Sequence, residues 1–173
     1  MARDSIVNVT SALVQVLRVL NVLFAVLAIL LMIVSFPAEG AITAKLVAKY
    51  GSGVDAGALI WTMRALGVLG LIGVGLIDRV LKELGRVLAT LRAGDPFAAE
   101  NPARFTAIAW ALLGWQVLEL LVLAISWWIT RLGADTGEWT PSVGGWLSVL
   151  VAFVLARVFA AGSRMRDELA ATI

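Results

Sequence analysis

The sequence contains four stretches of about twenty residues each in which apolar side chains dominate. They lie at about 13–36, 58–77, 105–129 and 145–162. A helix rises about 1.5 Å per residue, so about twenty apolar residues cross the hydrocarbon core of a bilayer, and a helix satisfies its backbone polar groups internally. The stretches therefore predict an all-α fold, an integral membrane four-helix bundle in which residues 1–173 form a single membrane domain.

The composition agrees with a lipid environment. Hydrophobic residues make up 61% and charged residues 15% of the chain, against about 45–50% and about 25% in soluble domains. The chain has no His and no Cys, which removes the commonest general base and any thiol chemistry. Since the carboxylates are not clustered, we expect no enzyme activity, no metal and no cofactor. The formal charge of +2, with acids interrupting the basic residues, argues against direct nucleic-acid binding.

The segment after the second apolar stretch has a helical period. The apolar residues of 78–93 follow one face, and charged residues occupy other positions. This pattern predicts that the second span continues as an amphipathic helical extension over about 78–93 in the cytoplasm. Gly94-Asp95-Pro96 is typical of a turn. Asn101 followed by Pro102 is typical of a helix start, with a side-chain cap and then proline at the first helical position.

Lysine and arginine are distributed unevenly, and they accumulate on the cytoplasmic side of membrane proteins. One proposed side carries ten of them, namely Arg3, Arg18, Arg79, Lys82, Arg86, Arg92, Arg104, Arg157, Arg164 and Arg166. The other carries Lys45, Lys49 and Arg131. Five tryptophans fall at that other boundary, where indole rings prefer to lie: Trp61, Trp127, Trp128, Trp139 and Trp146. We therefore expect a multi-pass protein of a bacterial inner membrane with both termini in the cytoplasm.

Polar residues inside the predicted spans are the first functional candidates, because ionisable groups are costly in hydrocarbon. They are Arg64, Gln116, Glu119 and Arg157. In antiparallel spans Arg64 and Glu119 lie at comparable depths, so they are able to pair. The pair either fixes helix register or forms a polar site for an ion, a proton or a small ligand. Arg157 either extends toward lipid phosphates or contributes to such a site.

Two further features concern packing and the longest external connection. Gly67, Gly70 and Gly73 recur at three-residue steps in the second span, and small residues let membrane helices approach closely. We expect them to face another helix, either within the chain or in a homo-oligomer. In the connection 38–57, the apolar residues between Ile42 and Tyr50 are compatible with a short interfacial helix that ends at the glycines of 51–53.

Two segments resemble a known family. They are GDPFAAENPARFTAIAW at 94–110 and VFAAGSRMRDELAATI at 158–173. Together with the four-span layout over the whole chain, they resemble the bacterial membrane family called domain of unknown function 2975 (DUF2975), which shares a GDPF–EN–R stretch and a similar tail. The residues that carry the first motif are Gly94, Asp95, Pro96, Phe97, Glu100, Asn101 and Arg104. The tail departs from the family pattern at 167–168 and 170–171. The resemblance implies no activity, but members are often encoded beside a helix-turn-helix regulator.

Three classes of function remain compatible with the sequence. The first is a regulatory or scaffolding membrane partner of a cytoplasmic factor, which docks on a surface made by 78–104 and 162–173. In the structural alternative, the same motif is a rigid re-entry into the membrane that packs on the tail. The second class is an oligomeric channel or transporter with a polar intramembrane site around Glu119 and Arg64. A membrane enzyme, the third class, would have to use carboxylate or arginine chemistry.

Overall fold

The computed structural model describes residues 2–134 and 140–170, and the regular structure in these ranges is helical. The side chains of residues 2–6, 167, 169 and 170 are outside the description, as is the predicted boundary residue Trp139. The helices are α1 (Ala2–Ser35), α2 (Glu39–Tyr50), α3 (Ala56–Arg92), α4 (Asn101–Arg131) and α5 (Val143–Ala170).

The chain divides into two compact units. Unit 1 is drawn from residues 1–21, 76–115 and 143–173, and unit 2 from 22–75 and 116–142. Unit 1 contains two apolar clusters, one around Val14, Leu81 and Leu88 and the other around Ile108, Ala109 and Ala152. Unit 2 contains a cluster around Leu59, Ile129 and Ala134.

Four helices are long and apolar enough to cross a membrane, which confirms the all-helical, multi-pass prediction. These segments are Val7–Ser35, Ala56–Arg92, Asn101–Arg131 and Val143–Arg166. The first helix begins at Ala2, well before the predicted start near residue 13. The helix thus continues beyond the apolar stretch that predicts the span, through polar residues that have adequate helix propensity.

On α1 the less exposed positions recur about every three to four residues, and they are mostly small or polar. They include Thr10, Ser11, Val14, Asn21, Ala25, Ala28, Met32 and Ser35. Most of the remaining described positions of α1 carry large apolar side chains, and these are exposed. This arrangement reverses that of a helix on a soluble protein, and it is the arrangement expected where lipid covers the apolar faces.

The second span and the segment that follows it form one uninterrupted helix, α3, up to Arg92. The predicted end at Gly94 is confirmed. Gly94 has φ 78°, its N–H donates to Leu91 O, and the Asp95 N–H donates to Thr90 O, which is a Schellman motif. Among the charged residues of α3, Glu83 is buried. Its carboxylate accepts both hydrogen bonds that Arg86 Nη1 donates, at 2.9 and 3.1 Å.

The predicted short helix in the first connection is present as α2. It ends at Gly51, which has φ 88° and whose N–H donates to Val47 O at 2.8 Å. Only a residue that tolerates positive φ continues the chain there without strain.

The three glycines predicted to form a packing stripe do not share one environment. A Cβ on Gly67 would lie 2.9 Å from Met32 Cε of α1, whereas a Cβ on Gly70 would meet nothing within 4 Å. Gly73 is buried and Gly70 is exposed. Each three-residue step changes the direction of a helical position by about 60°. Gly67 and Gly73 therefore lie about 120° apart around α3, and Gly70, between them, is at an exposed position. Close packing is therefore observed at Gly67 but not at Gly70.

Candidate functional site

The buried arginine of unit 2 is held by the end of α1 and the first turn of α2. Arg64 is 7% exposed. Its Nη2 donates to Ser35 O at 3.0 Å and to Glu39 Oε2 at 2.8 Å, and its Nε donates to Ser35 Oγ at 3.3 Å. α1 ends at Ser35, two residues before Pro37, and the carbonyls at the C-terminal end of a helix attract a cation.

Aromatic rings and a cavity complete the surroundings of this guanidinium. The Arg64 Cζ atom lies 4.1 Å from the centroid of the Phe36 ring and 4.9 Å from that of Trp61. A cavity of about 260 Å³ opens beside it between α1, α2 and α3. Its lining is apolar apart from Ser35 and Arg64, with Ala28, Leu31, Met32, Ile42, Ile60, Met63 and Gly67 as the other residues.

The hypothesis that Arg64 pairs with Glu119 was wrong, because the ion pair of Arg64 is with Glu39. Glu39 lies outside the predicted spans, in the first turn of the connecting helix α2, so its pairing with Arg64 could not be predicted from depth within the spans. Glu119 instead accepts a hydrogen bond from Gln116 Nε2 at 3.3 Å, within α4. Gln116 is 2% exposed. These two residues thus form a local polar pair, as their three-residue spacing predicts.

In unit 1 the GDPF–EN–R motif is organised around Asn101, whose side chain is fully buried at 0% exposure. Its Nδ2 donates to Thr90 Oγ1 at 2.9 Å and to Pro96 O at 3.0 Å. Its Oδ1 accepts from Arg104 Nη1 at 2.9 Å. Thr90 Oγ1 also lies 3.2 Å from Oδ1, but its single proton is closer to Val87 O, at 2.8 Å. The predicted role of Asn101 as a side-chain cap of α4 was therefore wrong. The amide joins the end of α3, the turn and the start of α4.

Beside this network a groove of about 470 Å³ runs between α3 and α4. Three arginines and two glutamates line it together with two alanines, namely Arg79, Glu83, Arg86, Glu100, Ala103, Arg104 and Ala107. Arg104 Nη1 also donates to Arg86 O at 3.2 Å, so its guanidinium is fixed by two acceptors. Arg79 and Arg86 are exposed. The groove therefore presents guanidinium groups on a backbone that is held by internal hydrogen bonds.

The turn of the motif packs on α5. The Phe159 ring lies 4.6 Å from the Phe105 ring in a stacked arrangement and 5.8 Å from the Phe97 ring. A Cβ on Gly162 would lie 2.6 Å from Phe97 Cδ1, so the absence of a side chain permits this contact. Arg166 Nη1 donates to Asp95 Oδ1 at 2.5 Å. These contacts agree with the interpretation of the motif as a rigid turn that packs on the tail. Residues 171–173 of that tail lie outside the described residues.

Two arginines near the predicted inner boundary behave differently. Arg157 is exposed on α5, and within the described chain it takes no hydrogen bond or ion pair, which suits an arginine that reaches toward lipid phosphates. Arg18 Nε bonds Asp78 Oδ1 at 2.8 Å and connects α1 to α3 within unit 1.

Sequence reasoning missed four residues that complete these sites. Ser35 and Glu39 bind Arg64, Thr90 binds Asn101, and Gly162 admits the Phe97 ring. In the sequence Glu39 gives no sign of pairing with Arg64, because an acid in the first turn of a helix is usually explained by the helix dipole.

In residues 2–134 and 140–170 no group of His, Cys, Asp or Glu is suited to hold a metal ion. No protein-family model, curated protein or solved structure matches this chain.

Proposed function

We propose that this chain is a regulatory or scaffolding protein of a bacterial inner membrane, and that it docks a cytoplasmic protein in the groove between α3 and α4. The observation that carries this proposal is the groove lined by Arg79, Arg86 and Arg104 beside the buried Asn101 network. Arginine is enriched in protein interfaces, where its planar group makes several directed hydrogen bonds. A helix-turn-helix regulator is the candidate partner that the resemblance to domain of unknown function 2975 suggests.

The geometry supports docking rather than catalysis. The groove is open, and its buried carboxylate, Glu83, is already bonded to Arg86. The polar atoms of Asn101 are likewise satisfied internally. The exposed guanidinium of Arg79 lies 3.9 Å from Glu83 in a weak contact, which leaves it available to an acidic residue of a partner.

The distribution of positive charge supports a cytoplasmic location for this groove. All three of its arginines belong to the basic segment 79–104. The opposite connections carry few basic residues. Under the positive-inside rule this segment and both termini lie in the cytoplasm. A cytoplasmic regulator then has direct access to the groove.

The test compares two charge reversals at exposed residues of α3, one inside the groove and one outside it. The full chain, purified in a maltoside detergent, is mixed with a helix-turn-helix regulator of the kind encoded beside members of the family that it resembles, and the dissociation constant is measured by biolayer interferometry. Arg79→Glu changes a residue of the groove, and Lys82→Glu makes the same charge change at an exposed residue outside the groove lining. We expect Arg79→Glu to weaken binding by about tenfold or more, since loss of a charged contact costs about 1–3 kcal/mol, and Lys82→Glu to weaken it by less than about threefold.

Equal affinities for the three proteins would place the partner elsewhere on the chain, and the absence of binding by the unaltered chain would remove this regulator as the partner. Because Arg79 makes only a 3.9 Å contact, we expect its replacement to preserve the fold. Thermal melting of each variant provides that control.

The alternative of an oligomeric channel or transporter receives less support. Arg64 is bound by Ser35 and Glu39, so it does not provide the paired site with Glu119 on which that alternative depended. Such a function also requires several copies of the chain, because four helices enclose little volume. Ion flux into liposomes that disappears with Glu119→Gln would favour this alternative, whereas flux equal to that of empty liposomes would remove it.

A further inference from the structure

The cavity beside Arg64 combines features that are seldom found together. Seven of its nine lining residues are apolar or glycine, and the two polar ones are Ser35 and the buried cation Arg64. Binding sites for small amphiphilic molecules are built in this way, with an apolar wall and a few polar groups that fix orientation. The volume of about 260 Å³ suits part of an acyl chain together with one head-group oxygen rather than a whole lipid.

The guanidinium retains hydrogen-bonding capacity. Its Nε and Nη2 atoms donate to Ser35 and Glu39, and within the described residues its Nη1 has no acceptor. In the same residues every wholly buried side-chain nitrogen or oxygen has a hydrogen-bond partner. The Nη1 atom of Arg64, which has no such partner, is therefore at least partly accessible. An acceptor that enters from the cavity or its mouth is able to reach it.

The counterion of Arg64 is placed so that it can be exchanged. The Glu39 side chain is 53% exposed, in contrast to 7% for Arg64, and Glu39 belongs to the first turn of the short helix α2. Leaving a buried cation without a partner is strongly unfavourable. An incoming anion that replaces the Glu39 carboxylate keeps the cation satisfied and releases Glu39 to water.

We propose that this cavity binds an anionic phospholipid, with a head-group phosphate oxygen on Arg64 and the start of an acyl chain between α1 and α3. Arginine binds phosphate by directed, charge-assisted hydrogen bonds. The neighbouring Leu31 of α1 and Met63 of α3 are exposed, so the apolar lining is continuous with surface that lipid covers. A free inorganic anion would gain nothing from this apolar lining, which is why a lipid is the occupant that fits.

The experiment measures the affinity of the full chain in maltoside detergent for phosphatidylglycerol by native mass spectrometry. Phosphatidylcholine serves as the zwitterionic comparison, and inorganic phosphate serves as the competing free anion. Glu39→Gln removes the exchanging carboxylate. Gly67→Leu fills the cavity beside Met32, and Gly70→Leu is its control, because a Cβ there meets nothing within 4 Å.

We expect Glu39→Gln to bind phosphatidylglycerol several-fold more tightly, because the lipid no longer competes with a carboxylate. Gly67→Leu should weaken binding by about tenfold, which corresponds to about 1.4 kcal/mol, and Gly70→Leu should leave it unchanged. The double variant Arg64→Gln/Glu39→Gln removes both charges together and should abolish the preference over phosphatidylcholine.

Two results would overturn the proposal. One is an affinity that neither Glu39→Gln nor Gly67→Leu changes, in variants that remain folded at the temperature of the measurement. The other is displacement of the lipid by millimolar inorganic phosphate alone, which would assign the site to a free anion. Neither result bears on the groove between α3 and α4, which belongs to the other unit.

Discussion

Removal of the Asn101 side chain provides the sharpest test of how the GDPF–EN–R motif is held together. Asn101→Ala deletes a fully buried amide that makes three hydrogen bonds at 2.9–3.0 Å, two donated by Nδ2 and one accepted by Oδ1. The partners are affected unequally. Pro96 O loses this donor, Arg104 keeps Arg86 O as an acceptor at 3.2 Å, and Thr90 keeps Val87 O at 2.8 Å.

The expected cost follows from these partners. A buried polar group left without a partner costs about 1–3 kcal/mol, and this applies most directly to Pro96 O. The loss of a hydrogen bond to the charged Arg104 adds a smaller amount, because its guanidinium has a second acceptor. We therefore expect Asn101→Ala to lower the free energy of unfolding by about 3 kcal/mol. For a chain of this length that is a fall in Tm of about 6–12 °C.

The assay is thermal unfolding in maltoside micelles, followed by circular dichroism at one fixed scan rate, because irreversible unfolding makes Tm depend on that rate. Thr90→Val should cost about 1 kcal/mol, since Asn101 then loses one of its partners. Thr106→Val is the matched control. Its hydroxyl bonds to Pro102 O within its own helix and is exposed, so this variant should melt within about 2 °C of the unaltered chain.

A Tm for Asn101→Ala within about 2 °C of that of the Thr106→Val control would refute the reasoning. It would mean that the motif does not depend on the amide, and that water or a rearranged turn satisfies Pro96 O. A double variant Asn101→Ala/Thr90→Val that loses the full sum of the two single losses would refute it as well, because bonded residues should show coupling of about 0.5–3 kcal/mol.

Two further predictions concern packing and topology. Gly162→Leu should lower the free energy of unfolding by about 1–3 kcal/mol, because the new side chain must displace the Phe97 ring, whereas Gly70→Ala, measured by the same melts, should change it by less than about 1 kcal/mol. Because the chain has no cysteine, Ser52→Cys and Ala103→Cys report on topology directly. In intact cells a membrane-impermeant maleimide should label Ser52→Cys and leave Ala103→Cys unlabelled, and the reverse pattern would invert the proposed orientation.

The number, type and approximate position of the helices could be predicted from the sequence because each depends on local properties. Apolar length marks a span, and a glycine that accepts positive φ marks a helix end, as at Gly51 and Gly94. The continuation of α3 to Arg92 followed from the helical period of its apolar residues. In contrast, the start of α1 at Ala2 had no apolar signal.

The candidate sites were predicted less well, because a side chain's partner depends on how segments far apart in sequence come together. Arg64 was correctly identified as a polar residue with a partner, but the partner is Glu39 and not Glu119. Asn101 was identified from its proline neighbour, yet its amide is used across the turn rather than at the helix start. In both cases the residue type indicated a demand for hydrogen bonds, and only the packing showed which group meets it.

The distribution of polarity in the structure connects the two proposals. In the described residues, 38 large hydrophobic side chains are exposed, while Arg64, Glu83, Asn101 and Gln116 are buried. Soluble monomers rarely expose apolar patches of more than a few hundred Å², so lipid is the solvent that this surface fits. Because lipid covers the apolar surface, a protein partner binds charged surface, and the groove between α3 and α4 provides such a surface. A lipid that packs on the apolar surface is able to contact the guanidinium of Arg64. Since Arg64 and the groove belong to different units, the two proposals can be tested separately.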